Sequence, residues 1–176
     1  PDARSRAAAR VRDDFMRLAA KGKTTEAEAK AAAGRVTIAA ALADMAPCAL
    51  VIEVIIEDLA AKKALFAALE SAVAPDAMLA TNTSSFSITA LAGDLKRPGR
   101  FAGMHFFNPA PVMKLVEIVR GEATAEAVAE TLFATAARWG KTPVRAKSTP
   151  GFIVNRVARP FYAEALALYE EGAADP

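Results

Sequence analysis

From residue 49 onward the apolar residues fall into two alternating patterns. Unbroken apolar runs, ALVIEVI (49–55), AMLAT (77–81), RFAGMHFF (100–107) and KLVEIV (114–119), predict strands covered on both faces. Between and after them, apolar residues recur at three- and four-residue intervals in DLAAKKALFAALESAVA (58–74), SITALAG (87–93) and TAEAVAETLFATAARWG (124–140), which predicts helices. A strand TPVRAK (142–147) follows. A last helix within PGFIVNRVARPFYAEALALYEEG (150–172) is expected to start at Pro150 and to kink at Pro160. Strands alternating with amphipathic helices imply an α/β, doubly wound, mostly parallel sheet.

The first forty residues carry a different pattern. Val11, Phe15 and Leu18 mark one alanine-rich helix that begins almost at residue 1 and ends at Lys21-Gly22. Thr25 followed by Glu28 is a capping-box pattern for a second helix that ends near Gly34. Two helices therefore precede the first strand. Composition adds little to this beyond a globular class: 176 residues, 53% hydrophobic and 24% charged. Charge narrows the partner. Twenty-two basic residues against 20 acidic ones leave +2, and they are scattered, so a small molecule is expected and neither nucleic acid nor a membrane surface. A lone cysteine, Cys48, and the lack of a leader or membrane-length apolar run favour a reduced, cytoplasmic setting. One histidine and one cysteine are too few for an ordinary metal site, so no metal is expected. Cys48, Trp139 and the methionines are read as packing residues.

In open parallel sheets, ligands bind beyond the carboxyl ends of the strands. Here those ends carry Glu53 with Glu57 beyond it, Asn82 followed by Thr83, Ser84 and Ser85, and His105 followed by Asn108. His105 is the only histidine, and an imidazole can take and return a proton near neutral pH when a partner holds its tautomer. Glu117, the one acid inside LVEIV, lies on the next predicted strand and is the candidate partner. Each residue also has a plainer reading. A lone histidine can be a core residue, TNTSS a turn and cap, Asn155 part of a helix start, and Lys62 a solvated lysine. Ser84 is not in a G-x-S-x-G elbow, which weakens a hydrolase reading.

Taken together, VIEVIIEDLAAKKALF, ATNTSSFSIT, GMHFFNPAPVMKLVEIV and STPGFIVNRVARPFYAEAL, in that order, resemble the 3-hydroxyacyl-CoA dehydrogenase family over nearly the whole chain. The tail resembles its bacterial 3-hydroxybutyryl-CoA and 3-hydroxyadipyl-CoA members. The resemblance implies a Rossmann-like domain that uses NAD to oxidise the 3-hydroxyl of an acyl-CoA substrate. It implies His105 as the base, Glu117 as its orienting carboxylate, and Ser84 and Asn155 as substrate contacts. Asn82, Asn108, Glu57 and Lys62 are expected on the cofactor side. It also implies a homodimer.

The departures are equally specific. The nine glycines include no G-x-G, so the phosphate-binding turn of the family is not among these residues. Pro1-Asp2 resembles the residues that follow the second strand of a full-length member, and EEGAADP falls inside the helical second domain. The expectation is a chain cut at both ends: residues 1–148 a partial NAD-binding domain lacking its first strands, 149–176 the first helix of a helical substrate and dimerisation domain. An inactive core, or a module that binds acyl-CoA without redox chemistry, is the alternative.

Overall fold

Each apolar run becomes a strand of one sheet in the computed structural model, which describes residues 3–173. Pro1-Asp2, and the end of EEGAADP from residue 174 on, lie outside the described residues. The strands are β1 (Leu50–Glu53), β2 (Met78–Thr81), β3 (Phe101–Phe106), β4 (Leu115–Arg120) and β5 (Thr142–Lys147), side by side in chain order. β1, β2 and β3 run parallel, β4 runs antiparallel to β3, and β5 is parallel to β4. The sheet is thus mostly parallel, as expected, with a single reversal at β4. The connection 107–114 is too short for the dozen or more residues that a parallel crossover needs, so β4 must return beside β3.

Successive strand residues alternate between two cores. Leu79, Phe101 and Val119 pack with Phe66, Leu69, Ile88 and Leu91 from α3 (Leu59–Ala72) and α4 (Ile88–Ala92). Ala80, Ala102 and Ile118 face Val128 and Leu132 of α5 (Glu126–Arg138). Helices therefore cover both faces, which is why the runs are apolar without interruption. A Cβ on Gly103 would lie 2.8 Å from Val119 Cβ and 2.9 Å from Ile88 Cδ1, so only glycine lets α4 approach the sheet this closely. Asp58 caps α3 by accepting the Ala61 N–H at 2.7 Å.

The residues up to Asp44 form a unit of their own. α1 (Ala3–Ala20) and α2 (Glu26–Gly34) pack on each other within it, and the capping box of Thr25 and Glu28 is present as expected. In the other unit, from Met45 on, the last helix, α6, spans Val154–Glu170 and continues through Pro160. It starts four residues later than Pro150 because Gly151 and Phe152 both have positive φ, 75° and 47°, which no helix accommodates. None of the α6 residues is buried. Trp139 is likewise 52% exposed at the end of α5, against the expectation that it packs. No helix among the described residues is long and apolar enough to cross a membrane.

Candidate active site

The carboxyl ends of the three parallel strands open onto one cavity of about 410 Å³. Seven of the eight residues singled out in the sequence line it: Glu57, Lys62, Asn82, Ser84, His105, Asn108 and Asn155. The eighth, Glu117, lies behind His105, fully buried on β4 and in register with it. Antiparallel pairing places the two directly opposite each other, and the His105 Nδ1–H donates to Glu117 Oε2 at 2.7 Å. A carboxylate only accepts, so this bond assigns the proton to Nδ1 and leaves Nε2 as the acceptor for the cavity.

The second oxygen of Glu117 has a role the sequence does not announce. Oε1 accepts the backbone N–H groups of Ile153 and Val154, both at 2.9 Å, at the start of α6. One buried carboxylate therefore takes three donors, which accounts for an acid in a strand core. The Phe152 ring, buried in the left-handed turn, lies 5.7 Å from the imidazole, and Phe107 approaches it at 4.6 Å. The imidazole is thus held by an acid on one side and by aromatic rings beside it. Both phenylalanines and the Ile153 and Val154 donors escape sequence reading, because a turn between strand and helix carries no periodicity.

A second polar network fixes the loop that carries Ser84. Lys62 is fully buried, 2.7 Å from Glu53 Oε1 and 3.2 Å from Glu57 Oε2, which corrects its reading as a solvated lysine. It belongs to the same buried stripe as Phe66 and Leu69 on α3, and its charge is tolerated because two acids meet it. Glu53 also accepts from Thr81 Oγ1 at 2.7 Å and from the Ile55 N–H at 2.5 Å. Glu57 accepts from the Thr83 hydroxyl and, at 2.8 Å, from Ser85 Oγ. Thr83 Oγ1 in turn accepts the Phe86 N–H at 3.0 Å. Partial burial pushes the Glu57 carboxyl up, but the bonds from Thr83, Ser85 and Lys62 outweigh it and hold the group below its ordinary value.

The remaining residues divide between bracing and lining. Asn82 Oδ1 accepts the Phe106 N–H at 2.8 Å, tying the end of β2 to the end of β3. Asn155 Nδ2 reaches the Ser84 carbonyl at 3.4 Å and links α6 to the TNTSS loop. Asn108 precedes Pro109 through a cis peptide at the cavity wall. On the rim, Val54 and Ile55 are 68% and 41% exposed, an apolar ledge beside the polar groups. No group of three His, Cys, Asp or Glu side chains that could hold a metal exists among the described residues.

A cavity of this size, with an acid-held imidazole, amides, a hydroxyl and an apolar ledge, suits the reacting end of NAD beside an alcohol. The residues present do not include a glycine-rich turn for the pyrophosphate.

Comparison with known proteins gives a consistent result. The family described as "3-hydroxyacyl-CoA dehydrogenase, NAD binding domain" matches residues 1–149. The chain is 59% identical over 132 residues to the 3-hydroxyadipyl-CoA dehydrogenase of Escherichia coli (strain K12), covering 75% of this chain and 28% of that protein. It is 43% identical over all 176 residues to a probable 3-hydroxybutyryl-CoA dehydrogenase of Bacillus subtilis (strain 168), 61% of that protein. Among solved structures, the 3-hydroxybutyryl-CoA dehydrogenase of Escherichia coli K12 superposes with a TM-score of 0.95 at 49% identity, over 98% of this chain and 36% of that one. The (S)-3-hydroxybutyryl-CoA dehydrogenase of Ralstonia eutropha gives 0.95 at 38% identity, over 99% and 62%. The chain thus spans less than two thirds of the length of each of these relatives.

Proposed function

Since the chain belongs to the 3-hydroxyacyl-CoA dehydrogenase family through its NAD-binding domain, we propose that the whole protein oxidises 3-hydroxyacyl-CoA to 3-oxoacyl-CoA with NAD, and that His105 is the base. The observation that carries the reading is the 2.7 Å bond from His105 Nδ1 to the buried Glu117, which leaves Nε2 ready to accept a proton. Bound NAD supplies the hydride acceptor for the substrate carbon. The chain supplies the rest. Nε2 takes the proton of the 3-hydroxyl, and the positive imidazolium that results is stabilised by the Glu117 carboxylate without any movement. The Ser84 hydroxyl and the Asn155 amide, both lining the cavity and linked by the bond that Asn155 Nδ2 donates to the Ser84 carbonyl, hold the substrate oxygens. Asn108 and the apolar ledge at Val54 and Ile55 flank the cofactor, while Glu57, Lys62 and Asn82 keep the surrounding loops in place.

The same proposal includes a homodimer, a helical substrate domain beginning at residue 149, and a cytoplasmic setting, the last suggested by the single free cysteine. Its test is the rate of NADH formation by the whole protein with 3-hydroxybutyryl-CoA, wild type beside His105→Ala. Loss of a general base costs about 10²–10⁴-fold in turnover, with NADH affinity little changed. Equal turnover in the two would remove His105 from the chemistry.

A further inference from the structure

Residues 81–85, at and beyond the end of β2, carry the hydroxyls of Thr81, Thr83, Ser84 and Ser85, and the fold does not use them alike. Thr81 Oγ1 donates to Glu53 Oε2 at 2.7 Å. The Thr83 hydroxyl donates to Glu57 Oε1, and Ser85 Oγ donates to the same oxygen at 2.8 Å. Ser84 Oγ makes no hydrogen bond among the described residues. It is also the one hydroxyl of the four that lines the active-site cavity, together with Asn82. Successive side chains of a strand take opposite sides. Here that alternation carries on past the end of β2, with residues 81 and 83 turned to the acids and residues 82 and 84 to the cavity.

Ser84 has little of its own to hold it. It is exposed, and its carbonyl accepts only the long 3.4 Å bond from Asn155. Thr83, beside it, is 2% exposed and fully bonded. Besides donating to Glu57, its hydroxyl oxygen accepts the Phe86 N–H at 3.0 Å and the Ser85 N–H at 3.3 Å, and its own N–H donates to Thr81 Oγ1 at 3.2 Å. Behind Glu57 stands the buried Lys62, whose other acid is Glu53, and Glu53 returns to the loop at Thr81. The contacts thus form a ring that leaves the loop at Thr81 and re-enters it at Thr83, so the backbone that presents Ser84 is anchored in β1 and α3. A group that acts on a substrate oxygen must be held to about 0.5 Å by such supporting bonds. We propose that Thr83 is a positioning residue that aims the Ser84 hydroxyl at the substrate, acting through its bond to Glu57. The proposal rests on the dehydrogenase reading above and adds to it the residue that sets Ser84.

The test is a double-mutant cycle in the whole protein, read as kcat/KM for 3-hydroxybutyryl-CoA. Thr83→Val keeps the side-chain volume and removes both the donor to Glu57 and the acceptor for two N–H groups; it should cost about tenfold, the scale of one lost hydrogen bond. Ser84→Ala should cost at least as much. If Thr83 acts through Ser84, T83V/S84A is slower than S84A by no more than about twofold, because the two sites are then coupled rather than additive. T83S restores the hydroxyl and should return the value to within about twofold of wild type. A T83V loss of the same factor in both backgrounds overturns the proposal, since a general loosening of the fold adds to the effect of S84A. So does a T83S variant as slow as T83V. Ser85 is exposed, so S85A covers the case in which T83V does not fold: it removes the other hydroxyl from Glu57 and should slow the wild type several-fold but not S84A. Equal effects of S85A in the two backgrounds would count against the proposal in the same way. A wild type without turnover instead removes the dehydrogenase reading, and calorimetric titration with acetoacetyl-CoA then decides on Thr83. A loss of affinity in T83V that is absent against S84A keeps the positioning role, and equal affinity of wild type and T83V overturns it.

Discussion

Glu117→Gln separates the two duties of one side chain. The wild-type carboxylate accepts three hydrogen bonds, one from His105 and two from the start of α6. Glutamine keeps the volume but offers one carbonyl and one NH₂, so it can serve only one side as acceptor. With its NH₂ toward the helix start, the Ile153 and Val154 N–H groups face a donor, at a cost of about 1–3 kcal/mol each. With its NH₂ toward the imidazole, Nδ1 simply becomes the acceptor and the ring changes tautomer, at about 1 kcal/mol. The second arrangement is cheaper and should prevail. It places the proton on Nε2, where a base must have none. Turnover should therefore fall by about 10²–10⁴-fold, while the melting temperature drops by only about 2–4 °C, taking roughly that much per kcal/mol. Glu117→Ala loses both duties and should melt roughly 5–20 °C below wild type as well. NADH production and a thermal melt on the same samples check this. A glutamine variant turning over within about threefold of wild type would refute the orienting role.

Other perturbations probe the supporting networks. Lys62→Met leaves the buried Glu53 without its cation and should destabilise the fold by about 3–5 kcal/mol; Glu53→Gln in the same chain should restore most of it, as read by urea melts. The Glu57 carboxyl lies below its ordinary value of 4.5, so the fold favours its charged form. The stability it contributes is complete above that ordinary value and is lost as pH falls through the lowered one. Glu57→Gln should accordingly weaken the protein more at pH 7 than in acid, as read by urea melts across pH, and a pH-independent difference would contradict the assignment.

Much of this was legible in the sequence, and the rest was hidden for physical reasons. The strands were visible because Leu79, Phe101, Met104, Val116 and Ile118 are buried whichever face they point to. Their direction was less visible, since an apolar run reads the same both ways. Only the shortness of 107–114 betrays the reversal at β4. His105 and Glu117 stood out as polar residues inside apolar runs, and their pairing followed from adjacent strands. The burial of Lys62 was hidden, although it falls on the stripe of Phe66 and Leu69, because a buried lysine depends on acids, Glu53 and Glu57, that lie elsewhere in the sequence rather than along the helix. Trp139 misled because an aromatic residue at a helix end need not face the core. The start of α6 was placed early because proline and glycine announce a break without saying how long it lasts.

The reversal at β4 has one further effect. The carboxyl ends of β4 and β5, at Arg120 and Lys147, lie at the opposite edge of the sheet from Glu53, Thr81 and Phe106. The chain must then travel back from Lys147, past Ser148, which accepts the Ile88 N–H, to bring Phe152 against His105. A change around Arg120 and Lys147 therefore acts at a distance from the imidazole, whereas a change at the other edge acts within the hydrogen-bonded surroundings of His105.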